Sequence, residues 1–328
     1  MVEFTYVVSS IIFGSLFGMM AIGLTLTYIT TKVPNFAYGS FVTVGLYTSY
    51  SLYRFEAITP YLSAPIAFGI GGLTSILMYL GILRPLARRG SPLVSLMIAT
   101  LAIDIAFVGI FGTYANYLRY TYVFIDSLNF TEILGDFSIF GSQGLILAAP
   151  LTLALITIGL YLLLTRTKFG VAMRASVENP SLARVLGIDV EKVYVFAWFL
   201  AGGLAAMSGS YYTLYSQGGI ATGSGLIVEI FAASVLGGLS SLYGAAIGGV
   251  IIGAGENLLT GGGISVFGNG VLDYQKGIPL VLMILTLLVF PQGLASLPWI
   301  RVVTRIRRIS GRLLGGIRRL SARGLRRC

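Results

Sequence analysis

The chain of 328 residues has no histidine, a single cysteine and few charges, and each scarcity removes a chemistry. Without histidine there is no Ser-His-Asp triad, no His-ligated zinc and no haem held by His. One thiol, Cys328, gives no disulfide framework and no paired-cysteine metal site. None of the four lysines (Lys32, Lys168, Lys192, Lys276) follows a glycine, so a phosphate loop of the G-K-[ST] type is absent. If ATP is used, another subunit must bind it, and no cofactor is implied. Charged residues make up 10%, against about 25% in an ordinary soluble protein. What is abundant is apolar: 56% of residues, with a mean hydropathy of +0.88. That composition belongs to a polytopic membrane protein.

The net charge of +10 is concentrated at one end. Ten arginines, from Arg301 to Arg327, lie in the last 28 residues with no acid among them. The body, residues 1–300, is neutral, which speaks against a nucleic-acid binder. Residues 301–328 form a cationic segment in which Val302, Val303, Ile306, Ile309, Leu313, Ile317 and Leu320, following Trp299, recur near helical spacing. The expectation is a cytoplasmic tail, either an amphipathic helix seated on membrane lipids or, given Gly311, Gly315 and Gly316, a disordered segment.

A straight span needs about 20 apolar residues. Candidates are Val7–Tyr28, Phe36–Tyr53, Tyr61–Leu83, Leu93–Thr113, Leu145–Leu164, Val193–Leu214 and Gly277–Leu297. The stretch Leu226–Leu258 is too long for one span and carries Gly237, Gly238, Ser240, Ser241 and Gly244 near its middle, which reads as two short helices around a break. The expected fold is an all-α transmembrane bundle of about nine spans, with eight or ten as alternatives. Loops containing Arg84, Arg88 and Arg89, and Arg166 to Lys192, together with Lys32 and the tail, place nearly all basic residues on one side. That side is expected to be cytoplasmic, with the N-terminus outside, the C-terminus inside and the first span retained.

Two segments echo each other. Pro34-Asn35-Phe36-Ala37-Tyr38-Gly39 and Ser240-Ser241-Leu242-Tyr243-Gly244 each place Tyr-Gly after a helix-breaking polar pair and before a small-residue helix. Paired interruptions point to a translocation pathway, here formed by Pro34, Asn35, Tyr38, Gly39, Gly237, Gly238, Ser240, Ser241 and Gly244. The alternative for the individual glycines is close helix packing, which suits Gly14 with Gly18, Gly244 with Gly248, and Gly249 with Gly253.

The loop Arg166–Glu191 is the most informative polar stretch. Asn179 followed by Pro180 suits a helix entry, Leu182, Val185 and Leu186 line one face, Arg184 lies off it, and Gly187 stops the helix. Such a helix either fills the membrane surface or docks a cytoplasmic partner. The loop resembles the coupling region of permease subunits of ATP-binding-cassette importers, R-A-x-x-x-N/D-x-x-x-A-x-x-x-G-I, at Arg174, Ala175, Asn179, Ala183, Gly187 and Ile188. Gly23–Tyr28 with Asn35–Gly39, Arg84-Pro85-Leu86 with Ala99-Thr100-Leu101, Val235–Ser241 with Gly244, Gly248, Gly249 and Glu256, and Phe290–Leu294 are similar to its branched-chain amino-acid branch, nearest the H-type members. The family usually has His at Tyr38, Gly at Ser240 and an acid near Gln275-Lys276.

This resemblance implies a permease that works with two ATPase subunits, a second permease subunit or a copy of itself, and an extracytoplasmic solute-binding protein. It would seat Arg174, Glu178, Asn179, Ala183, Arg184 and Gly187 against the ATPase. The implied solutes are branched-chain or other small apolar amino acids, with amides or urea as alternatives. Three acids fall within apolar stretches: Asp104 in mid-span, Glu256 after the second break, and Glu229, expected as a solvated residue at an external mouth. Each should face protein or water. A secondary transporter or channel would use Asp104 and Glu256 as ion sites but has no need of the coupling-like loop. A membrane-embedded enzyme lacks both histidine and carboxylates paired along one helix.

Overall fold

The structure, a computed structural model, describes residues 2–124, 126–131, 138–139, 142–267, 270, 275–289 and 293–294. The arginine-rich segment 301–328 lies outside the described residues. In chain order the helices are α1 (Val2–Thr31), α2 (Tyr38–Glu56) and α3 (Pro60–Met78), which continues through a π-helical turn into α4 (Arg84–Arg88). Then come α5 (Leu93–Thr121), α6 (Leu145–Arg166), α7 (Lys168–Glu178), α8 (Pro180–Val185) and α9 (Val190–Tyr212). The last three are α10 (Thr222–Gly237), α11 (Leu242–Phe267) and α12 (Gly277–Val289). Four two-residue strands, β1 (Asn129–Phe130), β2 (Ser138–Ile139), β3 (Ser142–Gln143) and β4 (Gly218–Gly219), pair antiparallel as β1 with β4 and β2 with β3.

Among the described residues, six helices are long and apolar enough to cross a membrane, namely those beginning at Tyr6, Pro60, Leu93, Leu145, Val190 and Leu242. Thr222–Gly237 and Gly277–Leu288 are apolar but shorter. Helix α2 has the length, at 19 residues, yet is rich in Tyr, Ser and Thr. Its position explains this. Tyr38 to Leu46 are all buried, and the helix packs against α3, α9 and α10, so it meets protein rather than lipid and needs no apolar circumference. Helices α5 and α6 are the opposite case: Ile105 (73% exposed) and Leu155 (61%) point outward along the periphery, where lipid rather than water is their natural solvent.

Close approach of backbones holds the centre together. Gly14 and Gly18 of α1 face Gly249 and Gly253 of α11, where a Cβ on Gly249 would overlap the Gly18 backbone. A Cβ on Gly45 would likewise overlap the Ala206 carbonyl of α9. With no hydrophobic drive between helices in lipid, small residues and interhelical hydrogen bonds supply association. The hydroxyls of Ser208 and Ser234 donate to the Leu16 and Ala21 carbonyls at 3.1 and 3.0 Å, and that of Ser75 to the Trp198 carbonyl at 2.8 Å. The packing reading of these glycines therefore holds, and it extends to two residues placed on the candidate pathway. Gly237 abuts the Gly244 carbonyl where α10 meets α11, and Gly39 abuts Gly223 where α2 crosses α10.

The 222–267 region does divide into two helices around residues 238–241, with Gly238 at φ +98°, but α11, with 26 residues, is not short. The first interruption, residues 32–37, is likewise a turn between two complete helices. In both places the Tyr-Gly pair opens the following helix. Their surroundings differ: Tyr38 is fully buried with its hydroxyl on the Ala201 carbonyl at 3.3 Å, whereas Tyr243 is exposed beside Tyr161.

Candidate functional site

One end of the bundle gathers the end of α1, helix α4, the start of α5 and the α8–α9 junction around a cavity of about 630 Å³. Helix α8 is built as its sequence dictates. The Asn179 side chain accepts from the Leu182 N–H at 3.0 Å, Pro180 occupies the first turn, and Gly187 at φ +82° terminates it. No neighbour lies within 4 Å of a Cβ placed on Gly187, so its requirement is conformational rather than steric. Only Ala183 turns inward; Leu182, Val185 (84% exposed) and Leu186 point away from the protein, as do Arg174, Glu178 and Arg184. The aliphatic face is therefore not used to pack α8 onto its own chain.

What holds this end is charge. Glu191, in the first turn of α9, forms ion pairs with both Arg84 and Arg88, the latter at 2.5 Å. The neighbouring Asp189 accepts from the Lys192 backbone N–H at 3.2 Å and pairs with its ammonium at 3.1 Å, which holds the Asp189 carboxyl below the usual carboxylate range. Nothing local marks Glu191, because its partners lie about a hundred positions away in the chain. Above the cavity, the turn at residues 32–37 is braced by Thr100, whose hydroxyl accepts from the Phe36 N–H at 3.2 Å. Pro34 is partly buried there, and Asn35 is fully buried with neither amide atom hydrogen-bonded. At the second turn, Gly238 packs against Gly293, Ser240 is exposed and Ser241 accepts from the Gly244 N–H at 3.1 Å.

The three acids do not behave alike. Asp104, half-buried on α5, accepts from Ser40 of α2 at 2.5 Å and from Ser224 of α10 at 2.9 Å, clasping three helices through one carboxylate oxygen. Glu229 departs from expectation. It is 4% exposed, not a solvated mouth residue, because α10 turns it inward onto a cavity of about 520 Å³ at the opposite end of the bundle. Glu256 of α11, equally buried, lines the same cavity with Gln275 and Lys276, and the Gln275 amide donates to Glu256 Oε1 at 2.9 Å. Sequence separation conceals this meeting of Glu229 and Glu256. The only local hint is that both are acids in otherwise apolar helices. Arg54 and Asp126, paired at 2.5 Å, lie at this end too.

A peripheral skin of aliphatic helices, a polar helix sealed inside and buried carboxylates turned onto a cavity define an integral membrane transport protein. Residues 6–287 match the family described as the permease component of the branched-chain amino acid transport system. The chain belongs to this family, whose members are multi-pass subunits of the plasma membrane and transport solute rather than catalyse a reaction. Membership implies ATPase and binding-protein partners. The chain is 46% identical to the "Probable branched-chain amino acid transport permease protein LivH" of Methanocaldococcus jannaschii, over 88% of this chain and 91% of the relative. It is 27% identical to the high-affinity branched-chain amino acid permease BraD of Pseudomonas aeruginosa, over 90% and 96%. A 120-residue stretch, 33% of each chain, is 39% identical to the autoinducer 2 import permease LsrC of Salmonella choleraesuis. No solved structure matches significantly.

Proposed function

We propose that this chain is the membrane path of an ATP-driven importer that carries branched-chain or other small apolar amino acids into the cell. The observation that carries this reading is α8: a capped, terminated helix that turns Leu182, Val185 and Leu186 outward beside Arg174, Glu178 and Arg184. A membrane permease has no internal use for such a face. An ATPase groove does, since nucleotide-driven closure has to reach the membrane through a stiff contact. Two ATPase subunits and a second permease, or a second copy, complete the assembly, and a binding protein delivers solute at the Glu229 end. In this arrangement nine helices cross, the α8 end is cytoplasmic and the N-terminus is outside. The two Tyr-Gly turns then flank the inner mouth, where the unpaired Asn35 amide has polar work to do. The arginine segment 301–328 seats on anionic lipid, and its removal leaves transport intact.

The test is uptake of labelled leucine into vesicles that contain this chain with its ATPase and permease partners and the binding protein. Uptake is expected only with internal or external ATP on the ATPase side. Uptake driven by a proton or sodium gradient without the ATPase would overturn the reading.

A further inference from the structure

Two buried carboxylates face one cavity, and among the described residues no ion pair closes on either of them. Glu229 and Glu256 come from adjacent helices and are each 4% exposed. Among the described residues neither has an ion-pair partner, and Glu256 Oε2 has no hydrogen-bond partner at all. Lys276 lines the same cavity, yet its ammonium pairs with neither acid and remains exposed. The cavity therefore carries two acids and one base that do not pair with each other. Phe13, Tyr212 and Leu226 add apolar surface to its lining, beside polar Asn129, Gln217 and Gln275. The volume, about 520 Å³, falls within the ~300–1,000 Å³ typical of small-molecule sites.

We infer that this cavity binds a zwitterionic α-amino acid with an apolar side chain. Glu229 and Glu256 take its ammonium, Lys276 its carboxylate and the Phe13–Tyr212–Leu226 wall its side chain. Two like charges buried together are costly unless one of them holds a proton or a cation lies against them, and a bound cation is what lets both ionise. The cation that fits is an organic ammonium. A bare divalent ion asks for about six or more oxygens, and no group of three or more acids that could hold a metal occurs among the described residues. The opposite charge of Lys276 on the same cavity completes the complement of an amino acid rather than of a simple amine. The inference rests on the importer reading and names where in the chain the solute first sits.

The experiment is equilibrium binding of tritiated leucine to the full chain in lipid nanodiscs, without the binding protein, with 3-methylbutylamine and 4-methylpentanoate as competitors that lack one charge each. Glu229→Gln and Glu256→Gln are each expected to weaken leucine binding at least about tenfold, the loss of a charge-assisted contact. Lys276→Met is expected to weaken leucine but leave competition by 3-methylbutylamine unchanged, and thermal melting of each variant reports folding. Since a Gln variant could misfold, the wild-type order of leucine before amine before acid is a second, variant-free expectation. Leucine binding that is absent, or equal in wild type and folded variants, overturns the site, as does binding of radioactive sodium alone. ATP-driven uptake of leucine that survives both Gln substitutions sinks the site while the importer reading stands. Glu-dependent binding without ATP-driven uptake sinks the importer reading and leaves the site.

Discussion

The two ends of this bundle use charge and apolar surface in opposite ways. At the α8 end, charges lie near the surface and are paired, Glu191 with Arg84 and Arg88, while aliphatic side chains are turned outward. At the other end, apart from the surface pair of Arg54 with Asp126, the carboxylates of Glu229 and Glu256 are buried with no ion-pair partner among the described residues, while Phe13, Tyr212 and Leu226 add apolar lining. Paired charges with an outward apolar face make a surface for a protein partner. Inward charge with an apolar wall makes a receptacle for a small charged molecule. The same kinds of side chain thus perform different tasks according to which side of the fold they face.

The largest effect should come from the outward face. Val185→Asp with Leu186→Asp removes apolar area that is mostly exposed, so the melting temperature should be nearly unchanged. ATPase co-purification should nevertheless fall more than about tenfold, and retention of the ATPase would dissolve the contrast between the ends. Next is the charge clasp. Glu191→Gln breaks both arginine pairs and should cost about 1–2 kcal/mol in denaturant midpoints at low salt, less at high salt. Arg88→Gln, where the arginine is 64% exposed, should cost less than about 0.5 kcal/mol. Equal losses from the two would mean that Glu191 acts through something other than its ion pairs. The most local is the cap. Asn179→Ala should destabilise α8 by about 1 kcal/mol, read as faster amide exchange over residues 180–186, with leucine uptake reduced only a few-fold and the Glu229 end unaffected.

Local order could be read from the chain wherever it depends on neighbours in sequence. Asn179-Pro180 starts a helix and Gly187 ends one because a capping amide, a fixed φ and a left-handed residue act within a single turn. The small-residue seams of α1 and α11 were visible for a similar reason, since residues four apart share a helix face. Glu229 misled because its place near the end of an apolar run suggested water, whereas the rotation of α10 about its axis turned it inward. That rotation is fixed by Gly223 against Gly39 and Gly237 against Gly244, contacts between distant parts of the chain.

Hydropathy, the scarcity of charge and the family-like motifs determined by themselves that this is a helical membrane permease, because each is a property of composition or of one helical turn. The meeting of Glu229 with Glu256, the serine clasp on Asp104, the burial of polar α2 and the grip of Glu191 on α4 were decided only by tertiary structure. Each depends on which helices pack together and at what rotation. In a lipid-facing bundle that choice is made by close backbone contacts and interhelical hydrogen bonds; a seam on one helix can be read from its spacing, but which helix it meets cannot.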